Sequence, residues 1–383
     1  MTQMKHISMT KTMQESLINQ SDFMQKIMQT ILQETLVQQF DHFIGAKLYE
    51  RTDDRKGLRN GTYDRQLLTR VGTINLKVCR DREGQFKTEL FEKYQRSEKA
   101  LALGIIEMYL SGVSTRKVSD IVEELCGFSI SKSQVSGLAT KLDAEQKLWR
   151  YRILTEEYCY LLVDARYEKA RENGHIISKA FVTVIGISND GKREIIGTWV
   201  INSESFEEWN SCFSELKDRG LCGVTYIVSD ENKGLKAAII KHFQGAKWQR
   251  CQVHFMRNFI SKLGANDKKE GIKLLQNLFA APSKEEALNR LAPLKVFLSE
   301  KKKDHAFQWL EDNIEDTLAV YSLPEDHHKK MRSTNMIERL NEELKRRSRV
   351  VRIFPNEQSC LRLLTAICQE ISEDWDNRRY LNM

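Results

Sequence analysis

Two aspartates, Asp164 and Asp230, each close a short apolar run: Tyr158-Cys-Tyr-Leu-Leu-Val-Asp164 and Val224-Thr-Tyr-Ile-Val-Ser-Asp230. Both runs are bounded by polar residues and dense in aromatic and β-branched side chains, so they are expected to be buried strands. An ionised carboxylate at the end of a buried strand is poorly solvated unless something positive stands beside it, and two of them on neighbouring strands repel. A divalent metal resolves that conflict. The pattern therefore asks for a third acidic ligand and a polyanionic substrate in the same chain.

Charge bears on the substrate. The chain has 383 residues, long enough for two or three domains, and its 41% hydrophobic content places it among globular proteins. Lys and Arg number 60 against 53 Asp and Glu, net +7, a balance that permits nucleic-acid binding. The excess is localised. Lys47 to Lys99 carries 14 basic against 9 acidic side chains and His327 to Arg362 carries 10 against 4, leaving the remainder close to neutral. Eight cysteines without a C-x-x-C pair suit free thiols in a reducing cytoplasm. The N-terminus lacks an apolar core of signal-peptide length and no run reaches transmembrane length, so a soluble intracellular protein with no membrane partner is expected.

The order of patterns divides the chain. Residues 1–46 hold a helical segment, with Leu17, Phe23, Ile27, Ile31, Leu36 and Phe40 at near-helical spacing from about Met13 to Ala46. Residues 47–100 form a small basic β-containing module, with runs such as Thr73-Ile-Asn-Leu-Lys-Val78 broken by Gly57, Gly61, Gly72 and Gly84. Residues 101–150 contain a helix, a turn at Gly127 and a second helix opening on Ser131-Lys-Ser-Gln-Val-Ser136, an order like that of a DNA-binding helix-turn-helix. Ser131, Lys132, Ser133 and Gln134 are its candidate DNA contacts, although plain helical packing has the same pattern.

Residues 151–260 alternate strands and helices. After the Asp164 strand come Lys179–Ile187 and Glu194–Ile201, joined through the hairpin signal Asn189-Asp-Gly191, so three successive strands are antiparallel. A helix from about Ser205 to Asp218 presents Phe206, Trp209, Phe213 and Leu216 on one face, and the crossover makes the Asp230 strand parallel to the Asp164 strand. Both aspartates then emerge at one carboxyl edge, the usual place for a site in an open α/β sheet. A last short strand falls near Lys247 to Cys251, and residues 261–325 read as an all-helical insertion.

Residues 326–383 carry the third acidic candidate, in Arg332-Ser-Thr-Asn-Met-Ile-Glu-Arg-Leu-Asn-Glu-Glu-Leu-Lys-Arg-Arg347. Ser333 or Thr334 can cap a helix whose apolar stripe is Ile337, Leu340 and Leu344 and whose polar flank is Glu338, Asn341, Glu342 and Lys345. Periodicity does not choose among Glu338, Glu342 and Glu343.

Tyr160-Leu-Leu-Val-Asp-Ala-Arg-Tyr-Glu-Lys-Ala-Arg171, Ser229-Asp-Glu-Asn-Lys-Gly-Leu-Lys-Ala-Ala238, Cys251-Gln-Val-His254 and Ser333-Thr-Asn-Met-Ile-Glu-Arg-Leu-Asn341 resemble the Mutator-type transposases of bacterial insertion sequences. Arg59-Asn-Gly61, the stretch ending at Arg82, Ser111–Arg116, Phe354-Pro-Asn356 and the closing Arg379-Tyr-Leu-Asn-Met383 share the resemblance, which spans nearly the whole chain. It implies an RNase H-like α/β catalytic domain with a mixed sheet and an all-helical insertion, preceded by the helical and β-containing DNA-binding modules. It also implies an Asp-Asp-Glu triad of Asp164, Asp230 and Glu338, and it alone selects Glu338.

The implied chemistry is phosphoryl transfer on DNA. Three carboxylates hold two divalent cations, with Mg²⁺ expected and Mn²⁺ able to substitute, because all-oxygen ligation suits hard ions. Water cuts a transposon end at its terminal inverted repeat, and the resulting 3′-OH attacks target DNA. Two ends brought together imply at least a dimer, working in the bacterial cytoplasm in association with the nucleoid. Around the site, Cys251, His254, Arg166 and Asn335 are accessory candidates. Cys251 and His254 form a C-x-x-H pair whose zinc reading lacks a second ligand pair, which favours a structural or positioning role. Arg339, Lys345, Arg346, Arg347, Arg349 and Arg352 are candidates for the DNA backbone, and the cluster from Lys345 to Arg352 is nearly free of opposing charge. Arg171 and Lys233 also follow the two aspartates closely.

Two positions depart from the family pattern: Glu231 follows the second aspartate where Gly is usual, and Cys79 stands where Pro is common. Two alternatives share these residues: a DNA-binding regulator that has lost catalysis, and a metal-dependent nuclease without strand transfer.

Overall fold

The computed structural model describes residues 21–50, 55–88, 90, 99–126, 129–140, 142–375 and 378–383. The expectations placed on Leu17 and Gly127 lie outside them. The chain forms two compact units, Met1–Ala139 and Thr140–Met383. Among the described residues no helix is long and apolar enough to cross a membrane.

In the first unit, helix α1 (Ser21–Ile44) packs on an antiparallel hairpin of β1 (Arg59–Thr69) and β2 (Gly72–Asp81). Leu36 meets Leu67, Ile74, Leu76 and Val78 in a small core, in which alternate β2 side chains are buried as a half-covered strand requires. A ladder of glutamines fastens the edge of β2. Gln25, Gln29 and Gln33 donate from their side-chain amides to the carbonyls of Thr73, Asn75 and Lys77, and the Gln33 carbonyl accepts from the Lys77 N–H. Four helical residues rise about 6 Å and two strand residues about 6.6 Å, so the steps stay matched for three rungs. The ladder satisfies an edge that would otherwise be open to strand addition. Arg59, part of the Arg59-Asn-Gly61 motif, bonds Asp41 and the Ala46 carbonyl and lies over the Phe40 ring, so its work here is packing.

Helices α2 (Lys99–Leu110), α3 (Thr115–Cys126) and α4 (Lys132–Ala139) close around Ile105, Val118, Val122, Ile130 and Val135. The opening of α4 is a reciprocal cap: the Gln134 N–H donates to Ser131 Oγ, and the Ser131 N–H donates to Gln134 Oε1.

The second unit begins with α5 (Leu142–Arg150), which is tied within it by the Arg362–Asp143 ion pair and by Gln146 donating to the Arg362 carbonyl. Its five-stranded mixed sheet has the order β5-β4-β3-β6-β7, built from β3 (Tyr158–Glu172), β4 (His175–Ser188), β5 (Arg193–Ile201), β6 (Tyr226–Ser229) and β7 (Lys247–Arg250). The first three strands are antiparallel, and β6 and β7 run parallel to β3, the expected topology. One face buries Leu161, Val163, Val182 and Val184 under α6 (Phe206–Asp218) and α7 (Lys233–His242). Ser205 caps α6 by accepting the Glu208 N–H, and Trp209, Phe213 and Leu216 are fully buried as their spacing predicts.

The helices α8 (Gln252–Ser261), α9 (Lys268–Phe279), α10 (Lys284–Glu300) and α11 (Asp304–Asn313) surround a separate core from Phe255 to Leu318. After α12 (Glu325–Met331), the helices α13 (Asn335–Ser348) and α14 (Glu357–Trp375) return to the sheet. There Thr365 bonds Thr198, and Ser372 accepts the Ile195 N–H. The closing motif works as a strap. The N–H groups of Tyr380 and Leu381 both donate to the Gly191 carbonyl, and Arg193 lies between the rings of Trp375 and Tyr380 at 4.4 and 4.7 Å. Gly191 has φ +79°, and a Cβ there would stand 1.9 Å from the Leu381 carbonyl oxygen, so the hairpin glycine is required twice over.

One strand boundary differs from expectation. Asp164 ends the apolar run but not the strand, because β3 and β4 continue to pair from Asp164↔Thr183 out to Glu172↔His175. Local apolarity marks where a strand is buried, whereas hydrogen bonding to a single neighbour lets it run on into solvent.

Candidate active site at the carboxyl edge of the sheet

The parallel register of β3 and β6 pairs Leu162 with Val228, so Asp164 and Asp230 each stand two residues further along, at one edge and on one side of the sheet. Burial, and then the Asp230 charge, push the Asp164 carboxyl up to about 7. Burial also raises Asp230, offset in part by His254 and Arg250. Asn341 Nδ2 donates to Asp164 Oδ2 at 2.8 Å, and Arg166 donates to the Asn341 carbonyl at 2.8 Å while ion-paired to Glu168 at 2.6 Å. Arg166 thus pins α13 to β3. Asn335 is exposed at the first position of α13; the asparagine that reaches the acids is Asn341.

Helix α13 buries Ile337, Leu340 and Leu344, which leaves Glu338 half-buried on the flank towards the edge. Its Oε1 lies 3.6 Å from His254 Nε2 and 3.7 Å from the Arg257 guanidinium. His254 in turn feels the charges of Asp164 and Asp230, so the imidazole stands among all three carboxylates. Glu342 is exposed and Glu343 pairs with Arg346 and Arg347, so Glu338 is the α13 acid found next to His254. Glu204 adds a fourth acid: burial and Asp230 raise its carboxyl, and Tyr167 is hydrogen-bonded to it. Neither Glu204 nor Asn341 emerges as a site residue from periodicity. Asn341 had a usable signal, three residues after Glu338 on the same polar flank; Glu204, in a loop, had none.

Cys251 and His254 shift one another's titration. Contact with the thiol, working against burial, raises His254 to about 9. Burial pushes the Cys251 thiol up, but His254 and Thr334 bring it below its ordinary value. Thr334 donates both its N–H and its hydroxyl to the sulfur, at 3.4 and 3.3 Å, so the hydroxyl expected to cap α13 serves the thiol instead. His254 Nδ1 is buried without a well-formed hydrogen bond, and we read the couple as an electrostatic contact. Replacing Cys251 by Ala is expected to return His254 towards the ordinary imidazole range. The titration of its ring carbons by NMR checks this, and an unchanged midpoint would refute the coupling.

Glu231 is held by an ion pair with the fully buried Arg250, so its charge is matched within the protein. The C-terminal basic stretch is less free of opposing charge than its sequence implies. Arg346 makes two bonds to Glu343, at 2.8 and 2.6 Å, and Arg347 bonds Glu343 and Glu370, while Arg339, Lys345, Arg349 and Arg352 are exposed. Ser131 and Gln134 are engaged in the cap of α4, and Lys132 and Ser133 are exposed beside them. Among the described residues no group of three or more His, Cys, Asp or Glu side chains is spaced to hold a metal ion.

The fold and this edge define a mixed α/β protein with a cluster of buried and half-buried acids where its parallel strands end. The family of that description is given by comparison: residues 1–378 match the family "Transposase, Mutator family", and the chain belongs to it. It is 43% identical over 386 residues to the transposase for insertion sequence element ISRM5 of Rhizobium meliloti, covering 100% of this chain and 96% of that protein. It is 42% identical over 391 residues to the transposase for element IS256 in transposon Tn4001 of Staphylococcus aureus, with 100% and 99% covered. A transposase for element IS406 of Burkholderia multivorans is 39% identical over 344 residues, with 89% and 88% covered.

Proposed function

We propose that this chain is the transposase of an insertion sequence, cutting the element's inverted-repeat ends and joining the 3′-OH to target DNA with Asp164, Asp230 and Glu338. One observation carries the reading: a buried and a half-buried carboxylate, Asp164 and Asp230, at the ends of adjacent parallel pairings, in register at one sheet edge, with the Glu338 helix packed beside them. An RNase H-like fold is supported by three antiparallel strands flanked by two parallel ones, with helices on both faces. The helices of residues 99–139 and the exposed cations of α13 and beyond are the proposed DNA contacts, and two ends imply at least a dimer.

The residues suit hard divalent cations, Mg²⁺ or Mn²⁺. The donors are carboxylate oxygens; burial has pushed both aspartates up, and the Asp230 charge pushes Asp164 further, the mark of acids that want a cation. Asp164 and Asp230 would hold it directly; Glu338 would join by leaving His254 and Arg257. A pair of cations held by these residues would supply activation of an attacking oxygen and stabilisation of a leaving 3′ oxygen. Asn341 orients the Asp164 carboxylate, and His254, carried by Cys251, balances negative charge where the scissile phosphate would lie. Arg250 also offsets the Asp230 charge.

Glu338→Gln is expected to lower Mg²⁺-dependent cleavage of element ends by on the order of a hundredfold or more and to block joining of a pre-cut 3′-OH end, with duplex binding retained. Cleavage by the wild type without any joining would reduce the function to that of a nuclease; full activity of the variant would remove Glu338 from the site.

A further inference from the structure

The paired extension of β3 and β4 is built as a projecting arm. β3 loses β6 after Leu162, and β4 meets β5 only from Ala180 onward, so the pairs from Glu168↔Lys179 to Glu172↔His175 have one other strand contact, the Ala170–Phe354 bridge. Five such pairs extend about 16 Å. Residues 171–178 are exposed throughout. The base is nonetheless rigid: Phe354 exchanges backbone hydrogen bonds with Lys169 and Arg171, and the buried Lys179 ties Glu172 to Glu357 at 3.0 and 3.1 Å.

Its two faces differ in charge. Alternation puts Glu168 and Glu172 on one face, where Arg166 and Lys179 neutralise them. The other face carries Tyr167, Lys169 and Arg171, opposite Ala180, Ser178 and Ile176; the two strands put no carboxylate on it, and Glu204 meets it only at its base, through Tyr167. Alternation sets this face opposite to Asp164, but Tyr167, 54% exposed, is hydrogen-bonded to Glu204 and lies within electrostatic reach of Asp230, so the face begins beside the acids and leads outward with side chains about 6.7 Å apart.

We infer that the Tyr167–Lys169–Arg171 face of this arm is a DNA-binding track that grips the duplex next to the phosphate being cut. Lys169 and Arg171 take backbone phosphates, and Tyr167 offers a ring on which a base at an opened end stacks. The inference rests on the proposed function for its substrate, and charge complementarity selects DNA over a second copy of this +7 chain.

The test uses the full-length protein with Lys169→Glu/Arg171→Glu, and Lys169→Gln/Arg171→Gln as a milder pair. The probe is a fluorescent duplex of arbitrary sequence, read over a range of salt, while Mn²⁺ binding to the DNA-free protein reports the acidic site. The expected result is weaker duplex binding, with the slope of log affinity against log salt reduced by about two and Mn²⁺ binding unchanged. Tyr167→Ala is expected to weaken binding to a duplex with an unpaired end more than to a blunt one. Unchanged affinity and slope in both charge variants would overturn the inference, as would a change in sedimenting mass with DNA binding intact, which would make the arm a contact between copies. Loss of Mn²⁺ binding in Asp164→Asn with an active track keeps the two readings separable.

Discussion

In EDTA at pH 8, Asp164→Asn is expected to be more stable than the wild type and, with Mg²⁺ restored, to lose cleavage by on the order of a thousandfold. Both effects come from one cause. Asp164 is 8% exposed and its carboxyl is pushed up to about 7, by burial first and by Asp230 second. Between the unfolded carboxylate's ordinary value and about 7, the native state keeps a proton that the unfolded chain has released, so stability falls as pH rises through that window. Above it the full penalty applies, at most about 4 kcal/mol. Asparagine removes the charge and can still accept from Asn341. The stability gain should therefore vanish below about pH 4, and Mg²⁺ should narrow it at pH 8 by binding only the wild type. Thermal melts in EDTA and Mg²⁺ across pH, together with end cleavage, measure all of this. A variant no more stable at pH 8 would mean that the Asp164 charge carries no net penalty in the fold; one that cleaves normally would sink the metal-site proposal.

Arg250→Met is expected to destabilise the protein by about 2–3 kcal/mol, seen as a lower urea midpoint. The guanidinium is fully buried at the end of β7, paired to Glu231, bonded to Asn313 at 2.9 Å and packed against the rings of Phe255 and Trp309 at 5.0 and 5.1 Å. Methionine refills much of the volume but leaves Glu231 and Asn313 without their partner. Glu231 is 38% exposed and partly solvated, which keeps the loss below that of a fully buried orphan charge. Adding Glu231→Gln should recover about 1 kcal/mol, because the stranded charge goes with it. Additive losses in the double variant would show that the pair is not coupled. The result also bears on the family departure at this position, since Glu231 gives the buried arginine a counter-charge.

Much of the second unit was legible from local pattern. Asn189-Asp-Gly191 announced its hairpin, the apolar stripe of α6 landed in the core, and the crossover rule oriented β6. What local pattern missed shares a physical origin. Gln25, Gln29 and Gln33 look like ordinary surface residues, and only the nearby edge of β2 turns their spacing into a ladder. Glu343 pairs with Arg346 and Arg347 at ordinary helical spacing, but only the packing of α14 brings Glu370 to Arg347. The cap residues Ser131 and Gln134 show the reverse case, where a short-range motif explains side chains also suited to reading DNA.

Sequence alone determined the strands that carry Asp164 and Asp230, the apolar stripe that turns Glu338 outward, and membership of the Mutator family, because alternation, helical period and motif order are properties of contiguous residues. Only the tertiary structure decided that Asn341 holds Asp164, that His254 and Arg257 hold Glu338, that Glu204 joins the acids, and that β3 and β4 run on as an arm. Most of those contacts join segments tens to nearly two hundred residues apart. They depend on how finished elements pack and on the low dielectric they create together, which no short window of residues specifies.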